Sequence, residues 1–219
     1  MLLGPIFNRE FLTVPRRARH YVLRTAYLGT LWVVGLTAYQ TMVGWTRAAT
    51  LGETAHFGSV LFQLLTGLML ALFLFFAALS AASSVAREKD RRTFVLLLLT
   101  DLRDTEIVLG KILGSLLPIL LLLATTVPLL ASLMLLGGVS LQQVIQAVLV
   151  TAAAAVAAGS LGGLVALWRE RTFQSMALTV LLVVFYLCLV RGVALLLAIV
   201  PALAGQPVLA WLDPFEALR

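Results

Sequence analysis

Residues 86–114 read AREKDRRTFVLLLLTDLRDTEIVLGKILG, from Ala86 to Gly114. They form the one long charged segment of an otherwise oily chain, with five of its ten acidic and six of its sixteen basic residues. Long apolar runs flank the stretch on both sides. Inside it lies the apolar strip Phe94 to Leu99, too short to cross a bilayer, which takes about twenty residues. A charged run joined to a short apolar strip suits the membrane surface: the apolar side faces lipid or neighbouring helices, and the charges face the cytoplasm or a partner. The segment therefore reads as a cytoplasmic loop, residues 84–106, between two membrane spans. A plain connector would need only a few residues, as Trp168 to Thr172 does, so the extra length asks for a contact.

Working outward, the composition fits a bilayer as solvent. The chain is 61% hydrophobic and 12% charged, with mean hydropathy +1.04. A soluble domain is about half apolar and a quarter charged. The apolar runs are continuous rather than alternating, which favours helices over a β-barrel, because every backbone N–H and C=O in lipid must be paired. The expected fold is all-α: one polytopic membrane domain over residues 1–219 with five to six transmembrane helices.

Upstream of the loop, the second span runs from about Phe57 to Ser83. It is long enough to tilt or to project from the membrane. Its small residues Ala77, Ala78, Ser80, Ala81, Ala82 and Ser84 would admit a close helix neighbour. The first span is Thr25 to Trp45, with aromatic rings near both ends. Before it, residues 1–24 mix Phe7, Phe11, Leu12 and Val14 with Arg9, Glu10, Arg16 and Arg17, which reads as an interfacial amphipathic helix broken near Pro15. A charged tail that merely holds the N-terminus inside is the alternative. The segment lacks the pattern of a signal peptide.

Downstream, the third span runs from about Ile107 to Leu136. Asp101 or Asp104 is placed to cap it, with Glu106 also at its positive end, and Pro118 and Pro128 should bend it. Gly137-Gly138 makes a tight turn. In the fourth span, Val144 to Leu167, the residues Ala155, Gly159 and Gly163 recur at steps of four, a face for close helix packing. The fifth apolar run, Phe173 to Val200, contains Arg191. Either this helix is strongly tilted or it breaks near Arg191-Gly192 and re-enters. A charge inside a span is a functional hypothesis by default, but Arg191 lies near the outer end and could snorkel.

Thirteen of the sixteen Lys and Arg residues fall on the side of the N-terminus and the charged loop. That bias puts the N-terminus in the cytoplasm. The net charge of +6 is then a matter of orientation and not of nucleic acid, so no nucleic-acid partner is expected. Cys188 is alone and cannot form an internal disulfide, and His20 and His56 are far apart, so no metal site is expected.

The loop residues carry a more specific likeness. Glu88, then Arg92-Thr93-Phe94 with the Leu strip and Thr100, then Glu106-Ile107 and Gly110-Lys111 resemble the signature of type-2 ATP-binding-cassette (ABC) transporter permeases. Arg92 stands where that family usually has Gly, and Asp101 where it has Pro. Gly4-Pro5 and Arg9-Glu10 resemble the family's start more weakly. The resemblance implies a permease subunit in the bacterial inner membrane, paired with a second permease in a homo- or heterodimer and docked on a separate ATPase chain. Arg87, Glu88, Lys89, Arg91, Arg92, Thr93, Phe94, Thr100, Glu106 and Lys111 would carry the coupling contact, with the N-terminal segment alongside. ATP and Mg²⁺ would bind the partner, because this chain has no GxxxxGK[ST] phosphate loop and is expected to hold no cofactor of its own. Six spans are the family's rule, so the chain is expected to be truncated or irregular after Val200.

Two other classes compete. An intramembrane enzyme needs a nucleophile with its base, or paired acids, within the spans, and Ser160 has no His beside it. An ion-coupled carrier or channel usually places ionisable groups at mid-membrane, where Arg191 is the single candidate. No polar pocket in the spans points to a substrate; lipid-like cargo fits the family and the oily interior.

Overall fold

The computed structural model describes residues 18–42, 50–90, 104–168, 171–199, 213–215 and 218. Five long helices follow in order: α1 (Ala18–Met42), α2 (Leu51–Asp90), α3 (Asp104–Leu133), α4 (Leu141–Trp168) and α5 (Thr172–Ile199). A short 3₁₀ turn, Met134–Leu136, closes α3. Among the described residues every regular element is helical, as a chain that must satisfy its own backbone in lipid requires.

Helix α2 is the axis of the bundle and touches each of the other four helices. Its 40 residues make a rod of about 60 Å, roughly twice a hydrocarbon core. It begins earlier than the apolar run and continues through the first charges of the central stretch to Asp90. Its buried stripe of Leu61, Leu65, Met69, Phe73 and Ala77 packs against Leu116, Ile119 and Leu123 of α3 and Val144, Ala147 and Ala155 of α4. Toward the charged end, Ala82, Val85 and Ala86 meet Ala166. Large side chains fill one end of the axis and alanines the end near the charged loop.

Four stretches are long and apolar enough to cross a membrane: Leu51–Ala86, Ile112–Leu136, Leu141–Trp168 and Thr172–Val193. The expectation of five to six spans is therefore met for four. Helix α1 forms where a first span was expected, but its threonines, tyrosines and Gln40 keep it out of this set. Four of its threonine hydroxyls bond the backbone of the helix itself. Thr25, Thr30, Thr37 and Thr41 each donate to a carbonyl three or four residues back, at 2.9–3.0 Å. Edge-to-face contacts of Tyr27 with Phe73 and Tyr39 with Phe57, centroids 5.8 and 5.4 Å apart, hold α1 to α2.

The helix starts far from the charged loop are built from reciprocal caps. Thr50 N–H donates to Glu53 Oε2 (2.9 Å), and Glu53 N–H donates to Thr50 Oγ1 (3.4 Å). Ser140 and Gln143 repeat the arrangement, at 2.9 and 3.3 Å. Each cap satisfies two of the N–H groups that a helix leaves open at its start. The turn between α3 and α4 uses Gly137 and Gly138 at φ 84° and 78°, a region only glycine enters freely. A side chain at Gly138 would also strike the Ala55 carbonyl.

Helix α3 opens at Asp104 itself, so Asp104 lies in its first turn; Asp101 lies outside the described residues. Helix α5 does not break at Arg191-Gly192: it is continuous from Thr172 to Ile199. Beyond it, Asp213 is buried and Phe215 packs against the bundle.

Candidate functional site

Two helices carry the charged stretch. Helix α2 ends at Asp90 and α3 starts at Asp104, so the segment between them is delivered from two rods packed side by side. Arg87, Glu88 and Lys89 lie on the last turn of α2, and Glu106 and Lys111 on the first two turns of α3; their side chains are outside the described residues. Arg91, Arg92, Thr93, Phe94 and Thr100, and the N-terminal Arg9, Glu10, Arg16 and Arg17, also lie outside them.

Below this stretch the two rods are clamped. Ser80 of α2 donates its hydroxyl to the Ser115 carbonyl of α3 at 2.9 Å. Pro118 lies three residues on from Ser115 within the helix, and a helical proline leaves the carbonyl four residues earlier, that of Gly114, without its amide donor. The hydrogen bond between the helices thus falls one residue past the carbonyl that Pro118 leaves without its donor. Ser115 turns its own hydroxyl to the Ile112 carbonyl at 2.7 Å.

Helix α4 wedges against both rods with its small face. Ala155 is 1% exposed, and Gly159 and Gly163 are buried. A Cβ on Gly159 would come 2.5 Å from Leu116, and one on Gly163 would come 2.8 Å from Ile112, so this pair faces α3. Gly162 faces α2, and there the obstacle would be the Ala78 carbonyl, which is backbone and cannot swing aside. Gly162 is the closest-packed position of the three, and the steps-of-four pattern passes over it. The Gly162-Gly163 doublet was the signal that could have found it.

The sequence also misses a polar contact within the apolar layers. Arg191 Nε lies 2.7 Å from Asp213 Oδ2, and the Asp213 side chain is only 3% exposed while that of Arg191 is 51% exposed. Arg191 is not a lone snorkelling cation: it is held by an acid from the chain that follows α5. Asp213 Oδ1 accepts the Phe215 N–H at 2.9 Å, and the Arg191 guanidinium sits 5.9 Å from the Phe215 ring centroid. The nearest warning in the sequence was the only acid of the DPF triplet after a Pro-rich stretch.

Apolar helices of membrane length, assembled around a long central rod, define a polytopic helical membrane protein. Residues 38–215 match the family described as ABC-2 family transporter protein, and the chain belongs to that family. It is thus an integral membrane protein of the ABC transporter permease class. No curated protein and no solved structure matches the chain.

Proposed function

We propose that this chain is the permease subunit that moves a substrate across the bacterial inner membrane, energised by a separate ATPase docked on the charged stretch between α2 and α3. Membership of the ABC-2 family over residues 38–215 carries this reading. The way α2 and α3 bracket the stretch supports it, because two packed rods pass a push at their ends into the membrane layer. ATP and Mg²⁺ belong to the partner. A second permease completes the pathway, as homo- or heterodimer. The N-terminus is cytoplasmic, α1 is a fifth crossing, and residues 1–24 lie along the inner surface beside the coupling loop.

Arg87, Glu88, Lys89, Arg91 and Arg92 offer charges of both signs for a docking face, and Thr93, Phe94 and Thr100 the apolar strip that meets the partner. Glu106 and Lys111 return the contact to α3. Complementary charge fixes the register of such an interface more than its raw affinity. The test is purification of tagged protein from its native membrane in mild detergents, with mass spectrometry of what accompanies it. The expected companion carries a phosphate-loop ATPase sequence, and Glu88→Arg should reduce its recovery. Good yields of the permease without any ATPase, in several detergents, would overturn the proposal and bring the ion-coupled carrier forward.

A further inference from the structure

The described residues after α5, Asp213 to Phe215 and Leu218, lie against the bundle. Arg191 lies about 28 Å along α5 from Thr172, near the edge of a hydrocarbon layer of about 30 Å on the side away from the charged loop. Asp213 meets it there. Phe215 and Leu218 then pack against the buried group formed by Leu70 and Leu74 of α2, Ala158 of α4 and Val183 of α5. Val183 lies about two turns closer to the loop end than Arg191. Asp213, Phe215 and Leu218 therefore step from that edge into the layer that α2, α4 and α5 enclose.

We propose that Asp213, Pro214, Phe215 and Leu218 belong to a re-entrant strap, locked into this groove by the Arg191–Asp213 ion pair. The chemistry of the pair makes it a lock. A carboxylate 3% exposed among apolar helices is tolerable only when a cation compensates it. Arg191 supplies that cation from α5 and covers the Phe215 ring as well. Asp213 spends its second oxygen on the Phe215 amide, which fixes the turn that aims the ring into the groove. Release of the pair leaves Asp213 buried and uncompensated, and the cheapest relief is to withdraw to water, taking Phe215 with it. The strap and groove thus have two arrangements, seated and withdrawn, with the ion pair setting the balance. The other described side chains around the strap, Leu70, Leu74, Ala78, Ala154, Ala158, Val183 and Leu187, are all uncharged.

Backbone hydrogen exchange of the full-length protein in lipid nanodiscs tests the proposal, with peptides covering residues 213–218 as reporter and 65–78 as control for the fold. The wild-type reporter should be protected. Arg191→Gln and Asp213→Asn, each of which removes one charge, should each speed its exchange roughly tenfold or more while the control stays slow. Arg191→Lys, which keeps the charge, should hold the reporter near wild type. Asp213→Asn changes charge at constant size, so a purely steric role would leave it near wild type; together with Arg191→Lys it isolates the ion pair. A wild-type reporter that exchanges like unstructured chain, or equal rates in all four proteins, would overturn the strap. The readout needs neither nucleotide nor an ATPase, so it stands apart from the test of coupling.

Discussion

At the scale of single residues, the closest contacts are between backbone and glycine. Gly162 lies against the Ala78 carbonyl, so Gly162→Ala has to push α4 away from α2. The expected cost is about 1–3 kcal/mol, as for other overpacked interiors, read as a lower melting temperature in detergent. Gly67, in α2, has open space where a side chain would start, with nothing within 4 Å of a Cβ added there. Gly67→Ala should therefore be neutral or stabilising by up to ~1 kcal/mol, through helix propensity alone. Equal losses at both positions would show that packing against Ala78 is not the reason for glycine at 162. Ser80→Ala removes the hydroxyl that α2 donates to the Ser115 carbonyl of α3. A loss of about 0.6 kcal/mol is expected, read as a lower melting temperature in detergent, in line with hydrogen bonds between membrane helices.

At the scale of elements, the caps decide where helices begin. Ser140→Ala removes the arm in which Gln143 N–H donates to Ser140 Oγ, leaves the Ser140 N–H to Gln143 Oε1, and should cost about 1 kcal/mol. Amide exchange should rise in the first turn of α4 and stay unchanged at Thr151, deep in the helix. A uniform rise along α4 would mean that the cap sets global stability instead. The T-x-x-E and S-x-x-Q spacings at Thr50 and Ser140 were both legible as helix starts. The extents of the apolar helices were legible too, because bilayer length and hydropathy bound them without reference to any neighbour. The length of α2 was only partly so. Residues 84–90 are polar enough to read as loop, yet they continue a helix whose apolar face, Val85 and Ala86, is buried against Ala166.

At the scale of the whole molecule, orientation is the property to measure. With the N-terminus cytoplasmic, a cysteine at Arg47 should react with a membrane-impermeant maleimide from outside in intact cells. One at Arg169 should react only after the membrane is opened. Both belong in a Cys188→Ala background, since Cys188 is exposed on the bundle surface. The reverse pattern would invert the topology and move the charged stretch out of reach of any cytoplasmic ATPase. Labelling of both cysteines from one side would remove one of α2, α3 and α4, the helices between them, from the spanning set.

Composition and the length of apolar runs by themselves determined that this chain lives in a bilayer as a bundle of helices. The reason is that the solvent acts on each segment separately: a run of about twenty apolar residues is driven into lipid whatever its neighbours are. The Glu88 to Lys111 pattern, likewise local in sequence, pointed to the family. Pairings between distant segments were decided only by the tertiary structure. Ala155, Gly159 and Gly163 looked like one packing face, yet which helix each small residue meets, and that Gly162 meets backbone, depends on how α4 crosses α2 and α3. Arg191 read alone was a costly charge with the option of snorkelling. Its partner Asp213 lies beyond the end of the helix, in a stretch broken by proline, and no periodicity links the two. Burial of a charge is settled by what the fold brings to it, and that information lies in the assembled bundle.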